Sequence, residues 1–159
     1  MKLDIKKYFD SIDHNILKNL LYKKVKDQNI SNLIDEVIDS FHSEAGSGKG
    51  IPLGNLTSQI FANIYLNELD QFIKRDLKIK YYLRYADDFT IINTDVGKLN
   101  SYLVSIVDFL KDQLKLELHP NKISLRKLKW GIDFCGYIVL PHHTLPRTKT
   151  KRRILKKVA

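Results

Sequence analysis

Three aspartates stand where carboxylates could share a cation. Asp4 lies near the end of the apolar stretch Met1-Lys2-Leu3-Asp4-Ile5, and Ala86-Asp87-Asp88 interrupts the aromatic and β-branched run of residues 81–93. Two adjacent carboxylates at a hairpin tip repel each other, and neither Gly nor Asn eases the turn, so such a site is costly unless a cation occupies it. Hard, oxygen-ligated Mg²⁺ suits the set, because it takes one or two carboxylates per ion and completes its shell with water and substrate phosphates. Two such ions about 3.5–4 Å apart serve an in-line displacement at phosphorus. The spacing leaves a second reading open, an acidic turn with an unrelated surface aspartate.

The elements that must carry these residues follow from periodicity. Residues 1–5 read as a short strand. Ile16, Leu17, Leu20, Leu21 and Val25 recur at helical spacing after Asp10-Ser11-Ile12-Asp13, which offers several capping oxygens. A second amphipathic helix carries Leu33, Ile34, Val37, Ile38 and Phe41 and opens at Ser31 as its N-cap. Both are expected to pack one face on a sheet. Residues 43–50 contain three glycines and no large apolar group, which makes a hinge or ligand-facing loop.

A long helix follows, capped by Thr57 or Ser58, with Phe61, Ile64, Tyr65, Leu69, Phe72 and Ile73 on its inner face. Residues 81–93 read as a tight hairpin. The next helix buries Leu99, Leu103, Ile106, Val107, Leu110 and Leu114, and short strands follow at 116–118 and within 132–140. This order predicts an α+β architecture, an antiparallel sheet with helices packed on one face.

With 159 residues, 43% apolar and 28% charged, the chain has the composition of one globular domain rather than of a disordered or coiled-coil protein. The single cysteine, Cys135, excludes an internal disulfide framework and fits a reducing compartment. No apolar run approaches the roughly 20 residues of a membrane span, and the first residues lack the apolar core of a signal peptide. The expectation is a cytoplasmic protein with no membrane partner. The net charge of +9 is concentrated in the tail: Arg147, Lys149, Lys151, Arg152, Arg153, Lys156 and Lys157 face no acid over 141–159. Such a run attracts a phosphate backbone through counterion release, although a solvated basic terminus would look the same. His142-His143 has no further ligand pattern nearby and reads as surface histidines.

Five stretches match a known family in its order. Leu3-Asp4-Ile5-Lys6-Lys7-Tyr8-Phe9-Asp10 resembles motif A of reverse transcriptases, and Pro52-Leu53-Gly54-Asn55-Leu56-Thr57-Ser58-Gln59 is similar to motif B. Tyr85-Ala86-Asp87-Asp88 resembles the motif C box, Leu116-Glu117-Leu118-His119-Pro120-Asn121-Lys122 motif D, and Phe134-Cys135-Gly136-Tyr137 the motif E primer grip. A lone Tyr-Ala-Asp-Asp would be weak; five ordered motifs across nearly the whole chain are specific.

The resemblance implies a polymerase palm that copies an RNA template from a DNA or RNA primer with dNTPs and two Mg²⁺ ions, for which Mn²⁺ can substitute. It implies that Asp4, Asp87 and Asp88 are metal ligands, with the Ile5 carbonyl adding to the shell. It places Phe9 as a steric gate against the sugar 2′-hydroxyl and Leu53, Gly54 and Gln59 at the nucleotide and templating base. Gly54 there allows close backbone approach. Lys122 corresponds to the motif D lysine that protonates or neutralises pyrophosphate, and Phe134 and Gly136 to primer-positioning residues. Arg84 is left to pair with a carboxylate or a phosphate.

Leu53-Gly54…Ser58-Gln59 departs from the Gln-Gly…Ser-Pro of group II intron-type enzymes and resembles the reverse transcriptases of diversity-generating retroelements, which copy RNA with errors and work with a small basic accessory protein. Replacing a Gln amide by Leu53 removes a hydrogen-bonding group, and a site without that partner discriminates less. The expected extent is a palm over 1–140, with the fingers region missing, and a basic tail over 141–159 that starts a thumb connection. Two alternatives stand beside error-prone cDNA synthesis: a catalytically silent palm acting as an RNA-binding module, and an intron maturase-type reverse transcriptase.

Overall fold

The computed structural model describes residues 1–41 and 48–158, so the loop expected at 43–50 lies mostly outside the described residues. Strands β1 (Lys2–Asp4), β2 (Tyr81–Tyr85) and β3 (Asp88–Ile92) form an antiparallel sheet in the order β1-β3-β2. Strand alternation gives this sheet two unlike faces. Leu3, Phe89 and Ile91 are fully buried on one face, and Tyr82 and Arg84 share it as cross-strand partners of Ile91 and Phe89. Lys2, Asp4, Asp88, Leu83 and Tyr85 stand on the other, with Leu83 and Tyr85 exposed.

The buried face joins one core with the helices. These are α1 (Tyr8–Ser11), α2 (His14–Tyr22), α3 (Gln28–Asp39), α4 (Leu56–Gln71) and α5 (Val96–Leu114). The last turn of α4 widens into a π-helical segment, Phe72–Asp76, and Phe72 stacks on Phe109 of α5 at 4.2 Å between ring centroids. A second antiparallel sheet, β4 (Ile132–Phe134), β5 (Tyr137–Val139) and β6 (Thr144–Pro146), precedes the basic helix α6 (Thr148–Val158). No described helix is long and apolar enough to cross a membrane.

The α+β layering agrees with the sequence, and several local details do not. Asp13 caps α2 as expected, accepting from Ile16 N, but that helix ends at Tyr22, before Val25. The cap of α3 is Asp27, which accepts from Asn29 N and Ile30 N; Ser31 is buried inside the helix and donates to the Asp27 carbonyl. A carboxylate one turn earlier satisfies two free N–H groups at once, which the Ser31 hydroxyl cannot match. Likewise α4 starts after Asn55 rather than at Thr57 or Ser58, and Ser58 is buried. α3 packs chiefly on α2 and α2 chiefly on α4, rather than on the sheet as expected for both, and Val107 of α5 is exposed. The segment 116–118 forms an isolated bridge, Ile5 to Leu118, instead of a strand.

Tyr65 shows how the core is pinned. It is fully buried on α4, donates to the Leu114 carbonyl at 2.7 Å and accepts from Asp13 N at 3.3 Å. One hydroxyl thus ties together the end of α5, the start of α2 and the middle of α4. Tyr65→Phe should cost about 1–3 kcal/mol, because two buried backbone groups lose their partner; urea unfolding of both proteins measures it.

Candidate active site

The register brings Asp4 directly opposite Asp88 and Asp88 opposite Tyr85, one row across the open face of the sheet. Asp87 precedes Asp88 in the two-residue turn of the β2–β3 hairpin, and its carbonyl accepts from Ile5 N at 3.2 Å. Chain-distant carboxylates are therefore neighbours for a simple reason: β1 and β3 pair antiparallel, so the last residue of β1 faces the first residue of β3. The turn runs through Ala86 at φ +52°, a left-handed conformation that costs a residue with a Cβ about 1–2 kcal/mol.

Arg84 holds that strained turn. Its guanidinium makes two bonds to Asp70 of α4, at 2.8 and 2.6 Å, and donates to the Ala86 carbonyl at 2.9 Å and to Asn63 at 3.2 Å. Tyr82 donates to the same Asp70 carboxylate at 2.6 Å. Burial works against the Arg84 charge, but the Asp70 carboxylate outweighs it and raises the guanidinium above its usual value. The choice left open by the sequence is settled: Arg84 pairs with a carboxylate.

Two lysines neutralise the carboxylate row. Lys122 Nζ contacts both oxygens of Asp4, at 2.9 and 3.0 Å, and Lys2 Nζ contacts Asp88 Oδ2 at 2.8 Å. The hydrogen bond to Asp4 raises the Lys122 ammonium above the usual lysine range. Asp87 and Asp88 are both raised from the usual carboxylate value, burial being the largest cause, with Asp4 adding repulsion at each. Asp88 Oδ1 is buried without a hydrogen-bond partner.

Among the described residues no three His, Cys, Asp or Glu side chains form a ready-made metal cage. Each lysine instead pairs with one aspartate of the row, Lys122 with Asp4 and Lys2 with Asp88. The donor set nonetheless fits a hard divalent cation: three carboxylates at one strand edge, two of them held above their usual values, and one oxygen left buried and unpaired.

The remaining expected residues lie on α1, at and before the start of α4, in the turn 120–122 and on the β4–β5 hairpin. Lys7 turns left-handed at φ +43° and delivers α1; there Tyr8 is buried, donating to the Ala62 carbonyl, and Phe9 packs edge-on against it at 5.6 Å. The Phe9 carbonyl accepts from Ile51 N at 2.9 Å, which docks the approach to motif B beside motif A. Leu53 is 76% exposed, and Gly54 and Gln59 are exposed with it. Gly54 takes φ +98°, and nothing lies within 4 Å of where its Cβ would be, so the backbone conformation rather than a protein neighbour demands glycine. Lys122 ends a short 3₁₀ turn, Pro120–Lys122, that His119 caps by accepting from Asn121 N. Phe134 is half-buried at the end of β4, and Cys135 and Gly136 form the β4–β5 turn with φ +50° and +84°.

Lys2, Asp70 and Asn63 were not singled out by the sequence reading. Lys2 was findable, because two residues before Asp4 on a strand is the same face. Asp70 and Asn63 carry no comparable signal, being helix residues that reach the hairpin only through the fold.

A model of the reverse transcriptase (RNA-dependent DNA polymerase) family matches residues 1–139. The group II intron-encoded protein LtrA of Lactococcus lactis is 30% identical over 133 residues, covering 79% of this chain and 22% of LtrA. Protein YkfC of Escherichia coli is 25% identical over 170 residues, covering 84% of this chain and 45% of YkfC. The chain therefore spans less than half the length of either relative. Among solved structures, telomerase from Candida albicans in complex with a fragment of telomeric RNA superposes with a TM-score of 0.68 at 15% identity, over 99% of this chain and 33% of that one. Apo telomerase from Candida tropicalis gives 0.69 at 16% identity, over 91% of this chain and 32% of that one; both are likenesses of fold. With the motif order, the aspartate row and a match over residues 1–139, the chain belongs to the reverse transcriptase family.

Proposed function

We propose that this chain is the catalytic palm of an RNA-directed DNA polymerase, extending a DNA or RNA primer with dNTPs on an RNA template. The observation that carries the reading is the row of Asp4 and Asp88, with Asp87 beside it and a buried carboxylate oxygen unpaired. Asp4, Asp87 and Asp88, with the Ile5 carbonyl, would hold two Mg²⁺ ions, or Mn²⁺ in their place. When bound, such ions lower the pKa of the primer 3′-hydroxyl and stabilise the leaving oxygen.

The chain's own groups supply the rest. The primer 3′-hydroxyl gives up its proton to water as its oxygen forms a bond to the α-phosphorus and the bond to pyrophosphate breaks, and Lys122 would give a proton to the departing pyrophosphate, an effect of about 10²–10⁴-fold. The exposed Leu53, Gly54 and Gln59 meet the nucleotide and templating base, and Phe134 and Gly136 meet the primer strand. α6, with six Lys and Arg residues and no acid, tracks the phosphate backbone. The resemblance gives Phe9 the part of a gate against a ribose 2′-hydroxyl, so Phe9→Ala should raise ribonucleotide incorporation by about 10–100-fold, measured by competing rNTP against dNTP.

The missing Gln amide at Leu53 supports error-prone copying in a retroelement, with a small basic accessory protein as partner. The relationship to LtrA supports a second reading, a maturase-type reverse transcriptase. An adenine-biased error spectrum supports the first, and stimulation of intron splicing the second. The test of the common reading is primer extension with divalent metal by three proteins: the chain, an Asp87→Asn/Asp88→Asn control, and the chain fused to a related fingers region. Extension by the chain or the fusion that vanishes in the control is the expected result. Silence from both, with RNA binding retained, favours the RNA-binding module.

A further inference from the structure

Lys2 does more than neutralise a carboxylate. Its Nζ lies 2.8 Å from Asp88 Oδ2 and donates to the Asp133 carbonyl of β4 at 2.6 Å. The first contact is in the sheet that carries the aspartates and the second is in the other sheet. These sheets share no strand pairing; a cavity of about 270 Å³ lined by Lys2, Asp4, Lys122, Arg126, Ile132 and Asp133 lies between them. The Lys2 and Asp88 side chains are 20% and 23% exposed, so the contact is shielded from water and screened less than a surface pair.

The polar chain continues beyond β4. The Asp133 carboxylate receives Nε of Arg147 at 2.9 Å and also Nη2 of the same residue. Arg147 stands immediately before α6, and its carbonyl accepts from Lys151 N in the first turn of that helix. Asp88, Lys2, Asp133 and Arg147 thus form a continuous series from the carboxylate row to the basic helix.

We infer that Lys2 is a positioning residue that registers the β4–β5 hairpin, and α6 through it, against the carboxylate row. Each ammonium N–H is directional, so one group bonded to a side chain of β3 and a carbonyl of β4 fixes the distance between the two strands. Oδ2 of Asp88 is occupied by this tether and Oδ1 is left over. On the reading proposed above, the hairpin carries the primer, and Lys2 sets how far the primer end stands from the metal ligands.

Hydrogen exchange on the purified full chain tests this without requiring catalysis. In Lys2→Met, the amides of residues 132–139 and 147–151 should exchange at least tenfold faster, while those of β3 and α4 keep their protection and show that the protein is folded. Lys2→Arg should restore most of the difference. Asp88→Asn should loosen the same amides, and Asp87→Asn should not. Unchanged hairpin exchange in Lys2→Met overturns the inference. So does loosening in Lys2→Met that Asp88→Asn fails to reproduce, since that would be packing of the lysine stem alone. A failure of primer extension by both the chain and the fusion, with these exchange effects intact, would sink the polymerase reading and leave the tether standing.

Discussion

Asp87→Asn should abolish primer extension, by about a thousandfold or more, and raise the thermal midpoint of the metal-free protein. On the function proposed above, the loss follows from removing a ligand of the two cations that would neutralise the charge on the transferring phosphoryl group. The gain follows from the environment of the same carboxylate. Burial raises its pKa, Asp4 repels it, and the bond it receives from its own backbone N–H only partly offsets them.

For an acid whose folded pKa lies above its unfolded value, the folded state binds the proton more tightly. Its contribution to stability is then present at low pH and is lost as pH rises through the raised value. At neutral pH the wild-type charge is a cost, and a neutral amide of the same shape relieves it, by up to about 1 kcal/mol for adjacent like charges. That corresponds to roughly 2–4 °C for a chain of this size. Calorimetry should show the difference shrinking as pH falls below the carboxylate range. Added Mn²⁺ should reverse the order, because a ligand that binds the folded wild type stabilises it and the variant has lost a ligand. Equal midpoints at neutral pH without metal, or an active variant, would contradict this account of Asp87.

The second large effect is at Asp70, far in sequence from the aspartate row. Asp70→Ala should destabilise the fold by about 3 kcal/mol, because the Arg84 side chain, 10% exposed, keeps its charge and loses its carboxylate. Tyr82 loses its acceptor as well. The pair acts as a unit, so Asp70→Asn combined with Arg84→Met should cost clearly less than the sum of the two singly. Urea unfolding of the four proteins gives the coupling. Primer extension should fall even where the fold survives, since Arg84 is what holds the Ala86 carbonyl and with it the turn that presents Asp87. Additive single effects would show that Arg84 and Asp70 do not work together.

What could be read in the sequence was what depends on near neighbours. A hairpin, a strand with one aspartate, and the amphipathic faces of α2 and α5 follow from spacings of two, three and four, and the family resemblance then brought Asp4, Asp87 and Asp88 into one site. Two caps were misplaced for a local reason: several Ser, Thr, Asn and Asp stand near each helix start, and Asp27 wins at α3 by reaching two free N–H groups, whereas α4 starts after Asn55 with no side-chain cap bond to mark it. Lys2 and Asp70 were missed for a non-local one. Their partners, Asp133 and Arg84, are defined by the meeting of two sheets and by the crossing of α4 beneath β2. Neither meeting leaves a periodic trace in the chain.

The strand order β1-β3-β2 also sets the order in which the site is built. β2 and β3 are joined by a two-residue turn and close in roughly microseconds, so Asp87 and Asp88 take their places early. Pairing β1 with β3 closes the loop from Asp4 to Asp88, about half of the chain, so loop-closure entropy alone predicts that it follows the hairpin. Asp4 is then expected to be the last of the three carboxylates to arrive, with Lys2 on the same strand. A folding intermediate that lacks β1 would carry the acidic hairpin with neither its opposing carboxylate nor the ammonium that steadies Asp88. Such an intermediate would hold divalent ions poorly, and assembly of the carboxylate row would coincide with completion of the fold.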